Sequence, residues 1–180
     1  MKIDMHLIPP TATSQENKTA VVNGRIMHYR MSFKLKMNPP TATAQQKGER
    51  IVGGRYIHHY KKKRVADAEA ILKDALLPFV PETPITGVPI LLCVCWCFPY
   101  PKSAKKHIPG WARFKITRPD TDNLNKMLKD CMTDMGFWQD DALIANEAVI
   151  KLYADEPGIE IAIREMPLDL PPEDDDDGES

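Results

Sequence analysis

The sequence predicts an α+β domain: a mixed β-sheet with two main helices packed on it. Polar and apolar residues alternate near both ends of the chain, in SFKLKM around residue 35 and in GIEIAIRE at 158–165, the period of strands with one wet face. Two internal stretches switch to the helical period. In order, the elements run strands, helix, strands, helix, strands, which closes as helices laid on one sheet.

The N-terminal third contains a repeat. IPPTATSQENKTAVVNGRIMHY (8–29) and NPPTATAQQKGERIVGGRYIHH (38–59) align at an offset of thirty residues; Pro9, Pro10, Thr11, Ala12, Thr13, Gln15, Val22, Gly24, Arg25 and His28 each recur. Each copy reads as strand, proline-rich turn, short strand, Asn-Gly or Gly-Gly turn, short strand. Two units are too few for a solenoid, so residues 1–30 are expected to form a duplicated hairpin or arm beside the main domain. After HHYKKKR, the segment 65–79 is helical: Val65, Ala68, Ile71, Leu72, Ala75 and Leu76 share a face, and Pro78 stops it. A proline-punctuated link leads to PILLCVCWCF, a buried strand carrying Cys93, Cys95 and Cys97 on one face. That spacing is not a zinc-ligand pattern, and neighbours on one strand face seldom form disulfides. With Cys131, these are expected to be reduced, buried thiols.

PYPKSAKKHIPGW reads as a basic loop and ARFKIT as a short strand. From Asp122, Leu124, Met127, Leu128, Cys131, Met132 and Met135 form a helical stripe that Gly136 ends. Phe137 and Trp138 are expected to plug the core. ALIANEAVIKLYA and GIEIAIRE supply the last strands, joined by Pro157-Gly158.

At 180 residues with 43% hydrophobic content, the chain fits one domain with extensions. No run of eighteen apolar residues appears, and MKIDMHLIPP lacks the apolar stretch of a secretory signal, so a cytoplasmic location is expected. The formal charge of −1 conceals two populations. Residues 165–180 hold eight of the 25 acids and no base, leaving 17 acids against 24 Lys and Arg, a formal +7, in residues 1–164. A basic body suits a polyanionic partner. The tail 167–180 has little to bury and is expected to be disordered.

One stretch, RPDTDNLNKMLKDCMTDMGFWQDD (118–141), concentrates carboxylates around a lysine. Pro119 pushes Arg118 out of helical backbone, so Asp120 stands where strand gives way to helix. Asp122 lies in the first helical turn with Lys126 one turn on, and Asp140 and Asp141 follow the helix, where the chain could return to the same edge. Carboxylates brought to one point repel unless a cation neutralises them. Oxygen-only ligands suit a hard ion such as Mg²⁺, which can activate water and stabilise an in-line phosphoryl displacement, with a lysine beside it as a point cation. Against this stands the ordinary role of Asp as a helix N-cap and of Asp122 with Lys126 as an i,i+4 pair.

RPDTDNLNKMLKDCMTDMGFWQDDALI, followed by a strand and PGIEIAI, resembles the RusA family of Holliday-junction endodeoxyribonucleases, often carried by phages and prophages. The likeness extends upstream through FPYPKSAKK to NPPTATAQQ…GGRYIHHY, defining a domain over 31–166. It implies a homodimeric, Mg²⁺-dependent enzyme, Mn²⁺ serving in place of Mg²⁺, that cuts four-way DNA junctions in recombination and repair. It also implies Asp120, Asp122 and Asp141 as essential acids and metal ligands, Asp140 as a further or outer ligand, and Lys126 as the catalytic lysine. Lys61, Lys62, Lys63, Arg64, Lys102, Lys105, Lys106, Arg113, Lys115 and Arg118 are expected DNA contacts. A non-catalytic junction or duplex binder, and a flap-type or general nuclease with the same chemistry, are the competing readings.

Overall fold

The computed structural model describes residues 18–22, 25–42, 47–52, 56–61, 63–103 and 108–169, with side chains for Arg30–Ala42 and from Lys63 onward within those ranges. The Pro9–Thr13 repeat segment, Lys62, Lys105, Lys106, the acidic tail beyond Asp169 and the side chain of Lys61 lie outside the described residues. The fold is α+β, with a mixed sheet and two helices.

The first hairpin, β1 (Lys18–Val22) and β2 (Arg25–Leu35), closes by pairing Val22 with Arg25. The second repeat unit forms a hairpin of its own, β3 (Lys47–Val52) and β4 (Tyr56–Lys61), closing by pairing Val52 with Tyr56. The two copies therefore pair one residue out of register with each other, and one step exchanges strand faces. β2 runs unbroken through residues 30 and 31, with an irregularity between Tyr29 and Met31, so the first copy is continuous with the main sheet at the expected domain boundary.

Helix α1 (Lys63–Leu76) passes into a 3-10 turn at Leu77–Phe79, where Pro78 cannot continue the α-helical ladder. β5 (Ile90–Pro99) follows, then the two-residue β6 (Arg113–Phe114), helix α2 (Thr121–Asp134), a second 3-10 turn at Asp141–Leu143, β7 (Ile144–Ala154) and β8 (Gly158–Glu165). Ala142 and Leu143, expected in the last-but-one strand, belong to that turn. The six-stranded sheet has the order β1-β2-β8-β5-β7-β6, with β5 and β7 parallel and the other neighbours antiparallel. The parallel pair requires a crossover, and α2 lies within it.

The core forms where both helices meet one sheet face. From the strands come Phe33, Leu35, Leu92, Val94, Trp96, Phe98, Ile159, Ile161 and Ile163; from α2 come Leu124, Met127, Leu128, Cys131 and Met132, the stripe the helical period predicts. Phe137 and Trp138 are buried beneath the end of α2, as expected, and the Trp138 indole donates to Thr133 Oγ1 at 2.7 Å. Gly136 takes φ +81° to turn the chain out of α2, a conformation that favours glycine. At Gly158 the need is space: an added Cβ would stand 2.8 Å from the Leu35 carbonyl oxygen.

β5 is buried on both faces. Cys93, Cys95 and Cys97 occupy the face away from the helices, with Leu152 and Ala162 beside them. All four cysteines are free and buried. Cys95 and Cys97 stand 3.6 Å apart in a hydrogen bond. Burial pushes the Cys93 thiol up and takes Cys131 to about 11, keeping these thiols protonated at neutral pH.

Candidate nucleic-acid site

The head of α2 is built by two lysines that hold the chain leading into it. Short β6 places Lys115 beside β7, where its amide donates to the Lys151 carbonyl at 2.9 Å. The Lys115 side chain turns inward, over the rings of Phe98 and Tyr153 (5.1 and 5.2 Å to the centroids). Its ammonium donates to the Arg118 carbonyl at 2.6 Å, the Thr117 carbonyl at 3.3 Å and the Thr117 hydroxyl. Lys151 donates to the carbonyls of Thr117 (2.8 Å) and Pro119 (2.6 Å). Three successive carbonyls are thus secured immediately before Asp120, in a segment that contains a cis Arg118-Pro119 bond. Burial and the neighbouring Lys115 charge depress the Lys151 pKa, while the Asp120 carboxylate opposes that shift. Lys115, expected to contact DNA, is instead buried and directed at the protein's own backbone. Lys151 carries no motif signal; only the β6–β7 pairing reveals it.

Asp120 occupies the N-cap of α2 with extended backbone, yet its side chain makes no capping bond. Asp122 is exposed in the first turn. Lys126 pairs forward with Asp130 at 3.5 Å, so the Asp122–Lys126 pair suggested by the i,i+4 spacing is not the one formed. On the inward side of α2, Asn125 accepts from the Trp96 indole at 3.1 Å and donates to Glu147 at 2.8 Å, and Glu147 also pairs with Lys129 at 3.0 Å.

The other acidic pair lies elsewhere. Asp140 caps the 3-10 turn, accepting from the Ala142 amide at 2.8 Å, and Asp141 begins that turn. Both are exposed. The turn feeds the start of β7, whereas Asp120 neighbours Lys151, seven residues further along. Seven strand steps cover about 23 Å, and the fourteen residues of α2 rise about 21 Å. The carboxylates therefore form two pairs at opposite ends of one helix. Among the described residues no three acidic, Cys or His side chains come together as a metal-ligand group. The expectation that all four aspartates meet within one chain is corrected on this geometry: the helix between them is too long.

Of the remaining basic candidates, Lys63 and Arg64 are exposed at the start of α1, and Lys102, Arg113 and Arg118 are exposed around β6. The first turn of α1 carries cations and no acid, against the preference of the helix dipole, an arrangement that an anionic partner would relieve. A cleft of about 260 Å³ opens between residues 37–42 and α1, where Arg64 and Asp67 line it; none of the candidate aspartates does. No helix among the described residues is long and apolar enough to cross a membrane.

Comparison with known proteins places the same region in a family. Residues 38–164 match the family described as Endodeoxyribonuclease RusA, which takes in every described residue of both helix ends. An uncharacterized protein, YqaN, of Bacillus subtilis (strain 168) is 37% identical over 93 residues, covering 48% of this chain and 63% of the relative. A protein of Lactococcus phage r1t named crossover junction endodeoxyribonuclease rusA is 35% identical over 80 residues, 44% of this chain and 57% of the relative. The matched stretches span less than two thirds of either relative.

Proposed function

Because this chain belongs to the RusA family of endodeoxyribonucleases, we propose that it cuts branched DNA, with the four-way junction as substrate. The observation that carries this reading is the head of α2: two exposed carboxylates, neither engaged in capping, on a backbone held by two lysines and flanked by Arg113 and Arg118. An ordinary helix-capping aspartate would accept from the amides two or three residues further along the helix.

The donor chemistry suits a hard divalent ion, Mg²⁺ or Mn²⁺. Asp120 and Asp122 offer oxygens alone, and Mg²⁺ is commonly held by one or two carboxylates with water and phosphate completing its shell. When bound, such an ion neutralises charge on the phosphate and lowers the pKa of a water. Asp141, with Asp140 beside it, would complete the ligand set from a second protomer. An isologous homodimer repeats each helix end about a two-fold axis, so the head of one α2 can face the far end of its partner, and two such sites suit paired cuts in a symmetric junction. Lys126, exposed one turn below Asp122, would exchange Asp130 for a phosphate oxygen. Lys63, Arg64, Lys102, Arg113 and Arg118 would hold the arms through phosphates.

The separation of the two acidic pairs within one chain also supports a second reading, a junction binder that does not cut. Incubating a synthetic four-way junction, a flap and a linear duplex with Mg²⁺ or with chelator separates the readings. Cutting of the junction that chelator abolishes, with binding retained, supports the enzyme; binding without nicks under any divalent ion supports the binder; equal cutting of flap or duplex supports a general nuclease. Asp122→Asn is expected to bind the junction and lose at least a hundredfold in cutting rate, on the order of removing a principal electrostatic group from a site. Unimpaired cutting would remove Asp122 from the site.

A further inference from the structure

We propose that the edge segment around β6 is an aromatic wedge that stacks on unpaired or unstacked bases at the branch of a bound DNA. This rests on the DNA-cutting reading above and adds to it the surface that recognises the branch.

Seven large apolar side chains are exposed on the described surface, and four of them fall within nine residues: Ile108 (58%), Trp111 (66%), Phe114 (58%) and Ile116 (93%). Single exposed apolar residues are ordinary; a cluster on a fixed scaffold marks an interaction surface. The scaffold here is well held. The Gly110 amide donates to Asp155 at 2.8 Å, the Tyr100 hydroxyl donates to the Trp111 carbonyl at 2.8 Å, and Arg113 and Phe114 pair with Tyr153 and Leu152 of β7. Strand alternation sends Lys115 inward to the carbonyls before Asp120 and leaves Phe114 and Ile116 outward. The backbone is thus fixed while its apolar groups remain in solvent.

Charge identifies the occupant. Residues 102–119 contain six Lys and Arg and no acid; among the described ones, exposed Arg113 lies between Trp111 and Phe114, and exposed Arg118 follows Ile116. A second copy of this chain docking edge to edge through β6 would set Arg113 and Arg118 against like charges. Phosphates with accessible base faces answer both features, since base–aromatic stacking beside a cationic track is how single-stranded segments are held. Continuous duplex stacks its bases on one another, and flat faces become available where arms meet; extruding a base costs least where pairing is already lost. The segment also runs directly into Asp120, so a base held by it would fix which phosphate reaches that carboxylate.

The test uses the full chain with chelator present, so that cutting plays no part. A four-way junction carrying 2-aminopurine at the branch and a linear duplex of the same composition are titrated with wild type, Trp111→Ala, Phe114→Ala and Trp111→Phe. Loss of one stacked base predicts roughly a fivefold to 150-fold fall in junction affinity for each alanine variant. Phosphate contacts predict a duplex affinity within about threefold of wild type, and Trp111→Phe is expected to recover most of the junction affinity. Acrylamide quenching gives an independent readout, because Trp96 and Trp138 are buried and Trp111 is not: junction should shield it and duplex should not. Wild type that binds the junction while the alanine variants bind it equally well overturns the wedge and leaves the nuclease reading standing. Wild type that binds no DNA sinks both. Variants that lose self-association, measured by sedimentation, with DNA affinity unchanged overturn the wedge in favour of a protein contact.

Discussion

Replacing Lys115 with methionine tests whether the lysine clamp positions Asp120. Methionine keeps an unbranched stem between the rings of Phe98 and Tyr153 and deletes only the charge and its donors. The Arg118 carbonyl, which Lys115 holds at 2.6 Å, loses the only lysine directed at it among the described residues, whereas the Thr117 carbonyl keeps Lys151 at 2.8 Å. Hydrogen bonds to a charged group contribute about 1.5–3 kcal/mol, and the lost cation–π contacts add about 0.5–1 kcal/mol. Relief of repulsion between the two ammonium groups offsets part of this, so a net loss of about 2–3 kcal/mol is expected at the scale of one charged hydrogen bond. For a chain of this size that lowers Tm by about 4–12 °C. Cutting should fall further than stability explains, because a displacement of about 1 Å at a reacting group costs on the order of a hundredfold. Thermal melts followed by circular dichroism, with single-turnover cutting at saturating junction well below Tm, read both effects. A melt within a degree of wild type together with full cutting would refute the clamp.

Gly158→Ala is expected to lower stability by about 1–3 kcal/mol through overpacking, because the new methyl would meet the Leu35 carbonyl oxygen at 2.8 Å; a denaturant midpoint equal to wild type would show that β8 can move away from β2. Alkaline stability should decline between pH 9 and 11. The Cys131 thiol is raised by burial from 9.0 to about 11, so the unfolded chain ionises first, and the stabilisation present below pH 9 is lost as pH rises through the folded value. Cys93, raised by the same cause, adds to the slope, and Cys131→Ala should flatten it in chemical denaturation at stepped pH. Lys115→Met is also expected to move the Lys151 ammonium pKa upward, since the neighbouring charge is one of the causes holding it down; an unchanged titration by lysine-selective NMR would mean that burial alone sets it.

The helices and the late strands are legible in the sequence because each is carried by a local period. Leu124, Met127, Leu128, Cys131 and Met132 announce their buried face without reference to the rest of the chain, and alternation in GIEIAIRE coincides with β8 to the residue. Sheet order is not local. β8 inserts between β2 and β5, and nothing in its own pattern chooses those neighbours. Lys115 reads as a surface cation because ARFKIT reads as a short strand beside a basic loop; its pairing with Lys151 of β7 turns that one side chain toward the carbonyls of Thr117 and Arg118. Lys151 meets Thr117 and Pro119 through the same pairing, 32 to 34 residues away in sequence. The aspartates show the opposite failure. The expectation has the chain returning to the same edge after the helix, and the fourteen residues of α2 hold the two pairs apart.

That helix behaves as a ruler. Inserting one residue into α2 would swing its head by about 100° relative to its far end and lengthen the gap by about 1.5 Å, while the apolar stripe beneath it could follow only one of the two ends. Loops at either side can grow or shrink without such penalty. Chains built on this plan are therefore expected to keep the spacing between the two acidic pairs invariant even where their flanking arms and tails differ in length.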